Sequence, residues 1–150
     1  MSAPTGPIAV IDVETTGLFP FRHDRVVEIA AVVVQADGHI QREFTTLVNP
    51  ERDIGPSSIH GLRAEEVLGA PRFHEVAQYF VQALEGCVAI AAHNVRFDRQ
   101  FLECEFNRIG HAFPDCHALC TLKMGGGKLS DCCRDFGIPF DDAHEARPDL

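Results

Sequence analysis

Apolar positions change period several times along the chain, and each change marks an element. Residues 7–13 (PIAVIDV) form the short, nearly continuous apolar run of a buried strand. Residues 26–35 (VVEIAAVVVQ) are a second such run, rich in β-branched side chains. Asp37-Gly38 is a two-residue hairpin signal, and a third strand follows over about residues 39–48. The chain therefore opens as an antiparallel three-stranded meander. Asn49-Pro50 ends it, and Gly55-Pro56 prolongs the loop.

Farther along, the spacing turns helical. A short helix is expected over 63–68, and a longer one after Pro71, a residue suited to the first helical position. Phe73, Val76, Ala77, Phe80, Val81 and Leu84 recur on one face of it, and Gly86 suits its C-terminal cap. Residues 87–92 (CVAIAA) read as a short buried strand. Phe97, Phe101, Leu102 and Phe106 give a helix over about 95–108 its apolar face, with Gly110 as its stop. A last strand is expected over 118–122, then a helix from Lys128 to Phe136, halted by Gly137 and Pro139. Three strands followed by alternating helices and strands define an α/β domain with a mixed sheet covered by helices. The 150 residues suit one domain over 1–150, with no internal repeat or linker.

Composition narrows the function. Apolar residues make up 45% of the chain, with 11 Phe, so a sizeable core can form. The net charge of −9 argues against a broad electrostatic platform for duplex DNA. It is compatible with an enzyme that grips a few nucleotides through divalent cations, since these supply positive charge where acidic ligands cluster. Most of the 22 acids are expected simply to be solvated. The N-terminus carries no charged segment followed by a long apolar run, and no stretch approaches the ~20 apolar residues of a membrane span. A cytoplasmic protein without a membrane partner is expected. Its six cysteines then read as reduced thiols. Cys116, His117, Cys120, Cys132 and Cys133 lack a paired C-x-x-C knuckle, which makes zinc the weaker reading.

The chemistry concentrates at four places. Asp12 and Glu14 lie two apart near the end of the first strand, so they share a face. Two carboxylates on one face of an apolar strand repel, and a hard cation such as Mg²⁺ or Mn²⁺ would relieve them; a strand end with two solvated acids is the alternative. Thr15, Thr16, Gly17 and Leu18 follow with hydroxyls, a glycine and an apolar side chain that could hold a terminal nucleotide, or form an ordinary turn. Asp98 stands in the first turns of the 95–108 helix, near its buried side, where a favourable helix-dipole interaction is the plainer explanation. His144 and Asp149 close the chain; they converge best with His144 in a loop and Asp149 in a helical turn begun at Pro148.

Together these residues resemble a family. Ile11-Asp12-Val13-Glu14-Thr15-Thr16-Gly17-Leu18, His93-Asn94-Val95-Arg96-Phe97-Asp98, and His144 separated by four residues from Asp149 are similar to the motifs of the DEDDh 3′→5′ exonucleases. That group includes the proofreading subunit of bacterial DNA polymerase III and ribonuclease T. FTTLVNP at 44–50 and IHGL at 59–62 resemble the family's connecting segments, so the likeness covers essentially the whole chain.

The resemblance implies a ribonuclease H-like fold. It implies that Asp12, Glu14, Asp98 and Asp149 hold two divalent cations, Mg²⁺ or Mn²⁺, and that His144 is the general base. It implies hydrolysis of terminal phosphodiester bonds at the 3′ end of single-stranded DNA or RNA, releasing nucleoside 5′-monophosphates. Thr15, Leu18, Asn94 and Phe97 are then candidates for holding the terminal nucleotide, with His60 serving either that role or a loop. A DNA polymerase subunit is a possible partner; the oligomeric state is open, as are a proofreading subunit and a free-standing trimming enzyme. Chain termination at Leu150, one residue past Asp149, is expected to leave the family's last helix truncated, and a nucleic-acid-binding module with impaired turnover is the alternative. Arg63, Arg147 and Pro148 depart from the family's usual residues.

Overall fold

A computed structural model describes residues 5–52 and 64–125. Five strands form one mixed sheet: β1 (Ile8–Thr15), β2 (Val26–Val34), β3 (Ile40–Leu47), β4 (Ala89–Ala92) and β5 (His117–Cys120). Among the described residues, four helices accompany them: α1 (Ala64–Leu68), α2 (Phe73–Ala83), α3 (Val95–Arg108) and α4 (Thr121–Gly125). The strand order is β3-β2-β1-β4-β5. The first three strands pair antiparallel, and β4 and β5 add in parallel beside β1.

The hydrophobic pattern explains this arrangement. β2 is buried along almost its whole length, as a continuous apolar run must be when both faces are covered. β1 alternates instead: Ala9, Ile11 and Val13 are buried, while Ile8, Val10, Asp12 and Glu14 on the other face are half-buried. The buried set packs with Ile29, Ala31 and Val33 of β2 against the apolar faces of α2 and α3. Phe73 and Phe106 meet edge-on with ring centroids 5.1 Å apart, locking the two helices together.

Several boundaries differ from the sequence reading. The hairpin between β2 and β3 has a three-residue loop, not a two-residue one, because Gln35 N–H still donates to His39 O at 2.8 Å. Gly38 takes the left-handed conformation, φ 93°, that such loops require. Pro71 precedes Arg72, the residue that caps α2, so it lies before the first helical position. Glu75 of α2 accepts the Arg72 N–H at 3.1 Å. The last described strand stops at Cys120, and Thr121 and Leu122 open a helical turn instead of extending it. The helix over 95–108 lies where its periodicity placed it, and Gly110 follows with φ 77°. The helix expected over 128–136 lies outside the described residues.

Candidate active site

β1 sits in the middle of the described sheet, and its C-terminal end carries Asp12 and Glu14. Both point to the face opposite Ile11 and Val13, and both are half-buried. Asp12 lies across from Ala30 and Glu14 across from Glu28 on β2. Immediately after Glu14 the register slips, with Thr15 pairing with Val26, so Val27 is the extra residue of a β-bulge. Val27 thereby joins Val67 and Leu47 in a second, small apolar cluster.

Asp98 arrives from the other direction, on the first turn of α3. It is 4% exposed, and its Oδ1 accepts the main-chain N–H of Val13 at 3.1 Å. This bond attaches α3 to the residue between Asp12 and Glu14. Burial, and then the neighbouring Asp12 charge, push the Asp98 carboxyl well above the usual carboxylate range; the Val13 N–H offsets only part of this. A helix-dipole role alone would not require such burial. Asn94, just before α3, is exposed and left-handed, φ 74°. Phe97 is half-buried against Phe101, centroids 4.9 Å apart, and His93 Nδ1 lies 3.0 Å from Thr121 Oγ1.

The loop after β1 is braced internally. Thr15 Oγ1 donates to Gly17 O at 2.7 Å. Thr16, 7% exposed, donates from Oγ1 to Asp24 Oδ1 at 2.9 Å and accepts the Arg25 N–H at 3.0 Å. Gly17 has a steric reason: a Cβ there would fall on the Asp24 carboxylate. That carboxylate also accepts from Phe19 N–H at 3.0 Å and Arg52 at 3.2 Å, so it is not free to retreat. Leu18 stands outside this network and is 71% exposed.

Two features were missed in the sequence. Glu28, 2% exposed, places a third carboxylate on the face shared by Asp12 and Glu14. Its signal was a lone acid inside the apolar run VVEIAAVVV. Glu105, fully buried, accepts from Arg25 Nε at 2.9 Å and Nη2 at 2.7 Å, and from Val26 N–H at 2.9 Å. Its signal was an acid one turn beyond Phe101 and beside Leu102 on the apolar stripe of α3.

The geometry thus puts Asp12 and Glu14 on one strand face, with Asp98 bonded to Val13 N–H and within reach of the Asp12 charge. Among the described residues, no three His, Cys, Asp or Glu side chains form a metal-binding group by themselves. His60, His144 and Asp149 lie outside those residues. The donor chemistry still fits a hard divalent cation: carboxylate oxygens only, with Asp98 held in a place where its charge is costly until a cation offsets it.

A mixed sheet with acids at the C-terminal end of a central strand, and a further acid entering from a covering helix, is the ribonuclease H-like architecture of DEDDh nucleases. The chain belongs to the exonuclease family, whose sequence model matches residues 9–150. It is 34% identical over 151 aligned positions to the 3′-5′ exonuclease DinG of Bacillus subtilis, covering 93% of this chain and 16% of that protein. It is 33% identical to the DNA polymerase III subunit epsilon of Treponema pallidum, covering 92% of this chain and 68% of that one. The nuclease domain of 3′hExo, a DEDDh family member solved bound to rAMP, superposes with a TM-score of 0.72 at 16% identity, over 91% of this chain and 82% of that one. The chain thus spans a small part of DinG and about two-thirds of the epsilon subunit. Among the described residues, no helix is long and apolar enough to cross a membrane.

Proposed function

We propose that the chain is a metal-dependent 3′→5′ exonuclease that removes nucleoside 5′-monophosphates from the 3′ end of single-stranded DNA or RNA. The observation that carries this reading is the buried Asp98 carboxylate bonded to Val13 N–H between Asp12 and Glu14. An enzyme has reason to keep so costly a carboxylate where it is useful only with a cation.

Asp12, Glu14, Asp98 and Asp149 would hold two divalent cations, Mg²⁺ or Mn²⁺. When bound, these would supply charge stabilisation for the phosphoryl oxygens and lower the pKa of the attacking water. His144 takes the proton from that water, a task suited to a side chain titrating near neutral pH. The water oxygen attacks the terminal phosphorus, and the 3′ oxygen of the preceding nucleotide leaves. Leu18, exposed on the loop that follows Glu14, packs on the terminal base. Thr15, Asn94 and Phe97 border the same end of the sheet and orient the sugar, with Phe97 already fixed against Phe101. Thr16 and Gly17 shape the loop that presents Leu18.

We read residues 1–150 as one such domain, and the likeness to epsilon supports, as a proposal, a polymerase subunit as a partner. The test is a degradation assay with 5′-labelled single-stranded DNA, the matching RNA and a mispaired duplex, with and without Mg²⁺. Stepwise shortening from the 3′ end with release of 5′-mononucleotides is expected. Internal cutting, or shortening unaffected by chelator, would overturn the proposal.

A further inference from the structure

Four of the chain's 13 basic residues line one cleft, although the net charge of the chain is −9. The cleft has a volume of about 500 Å³ and is lined by the four arginines together with His23, Pro50 and Glu51. We propose that it holds the phosphodiester backbone of a single-stranded nucleic acid a few nucleotides upstream of the cleaved end. This rests on the exonuclease reading and names a contact surface that the acidic site does not contain.

The arginines differ in what they have left to offer. Arg25 is committed to Glu105, and Arg52 to Asp24 at 3.2 Å and to His23 O at 2.7 Å. Arg108 reaches Glu105 at 3.4 Å and Pro20 O at 3.1 Å, with its side chain still 30% exposed. Arg22 is exposed, and among the described residues no carboxylate pairs with it; its guanidinium rests over the Phe19 ring, 5.5 Å from the centroid. Among the described residues, Arg25, Arg52 and Arg108 each pair with a carboxylate of Asp24, Glu51 or Glu105, whereas Arg22 pairs with none. The committed pairs fix the walls, and exposed Arg22 and part-exposed Arg108 are the groups a ligand can reach.

Position ties the cleft to the acids. α3 carries Asp98 in its first turn and Glu105 and Arg108 near its end, which at the helical rise places the cleft roughly 10–15 Å along the helix from the acidic site. The loop from Thr16 to Arg25 starts and ends beside the acidic end of β1, where Thr16 N–H donates to Arg25 O at 2.9 Å, and Arg22, His23 and Arg25 of this loop line the cleft. That loop exposes Leu18 at 71%, Phe19 at 59% and Phe21 at 75%. Exposed apolar faces alternating with a basic groove match the way proteins hold single strands, stacking bases while cations track the backbone. An acidic peptide would use the charges but leave the exposed Phe19 and Phe21 without a role.

The test measures binding separately from turnover. A 5′-fluorescein 12-mer of oligo-dT is titrated with the full chain in Ca²⁺, whose looser coordination disfavours the Mg²⁺ geometry. Fluorescence anisotropy is followed as a function of salt. Removing one phosphate contact from a single strand lowers the salt slope by about 0.7, which corresponds to about fivefold weaker binding at 0.1 M salt. Arg22→Gln is expected to show this loss, and Arg22→Gln with Arg108→Gln a further one. Arg22 is exposed and, among the described residues, its side chain braces only Phe19, so its variant keeps the test valid if Arg108→Gln fails to fold. An unchanged slope and affinity in Arg22→Gln would overturn the inference, as would absence of 12-mer binding, or binding of poly-glutamate in its place. Arginine-dependent binding with no mononucleotide release in Mg²⁺ would instead refute the exonuclease reading and leave the cleft standing.

Discussion

Asp98 Oδ1 accepts the main-chain N–H of Val13 at 3.1 Å, across 85 residues of sequence. This single bond fixes where the first turn of α3 meets β1, and it delivers a buried acid to the residue between Asp12 and Glu14. Val13 turns its side chain into the core and leaves its amide to align the acid, so one residue serves packing and site together.

Asp98→Asn should therefore stabilise the metal-free chain at neutral pH, because the amide keeps an acceptor for Val13 N–H and loses the costly charge. The folded chain holds the Asp98 proton more tightly than the unfolded chain. Wild-type stability thus falls as pH rises above the unfolded carboxylate value of ~4, and the deficit is complete above the folded value. In chelator the variant should melt at least ~2 °C higher at pH 8 and equally at pH 3. Added Mg²⁺ should raise the wild-type melting temperature more than the variant's. An advantage independent of pH would refute this.

Asp12→Ala should leave the fold intact, since Asp12 is half-buried and its neighbours Ile11 and Val13 carry the packing. Cleavage should fall by about 10³-fold or more, the equivalent of losing several kcal/mol of cation-mediated stabilisation. Circular dichroism and the degradation assay check the two halves. Near-full activity would remove Asp12 from the mechanism.

Glu105→Ala should be among the most damaging changes to stability. It strips Arg25 of its bidentate partner and leaves Val26 N–H without its acceptor in a buried place. Breaking a buried pair from one side costs about 3–5 kcal/mol, and urea unfolding measures it. A loss below about 1 kcal/mol would show that the pair contributes little.

Gly17→Ala should cost about 1–3 kcal/mol through overpacking against Asp24. Shortening the obstacle should recover part of it: the double variant Gly17→Ala with Asp24→Ser is expected to be more stable than the sum of the single changes. Strict additivity in the double-mutant cycle would mean that the two positions do not compete for space.

Much of the fold was legible because it is local. Short, nearly continuous apolar runs placed β1, β2 and β4 to within two residues, and the stripe of Phe97, Phe101, Leu102 and Phe106 placed α3 at its observed bounds. Turn details were less legible. Whether Asp37-Gly38 closes a two- or three-residue loop depends on one bond, Gln35 to His39, whose formation spacing does not specify. The sequence offers Gly17 as part of a nucleotide-holding loop or an ordinary turn, yet its reason is an aspartate seven positions on.

The sequence by itself determined the elements, their order, and the acids Asp12, Glu14 and Asp98 as the residues to watch, because strand and helix periods are set by backbone geometry within a few residues. Only the tertiary structure decided that Asp98 is buried against Val13, that Glu105 exists to hold Arg25, and that four arginines share a cleft. Those facts depend on side chains brought together from about 80 residues apart. Desolvation and charge proximity arise only where such distant segments pack.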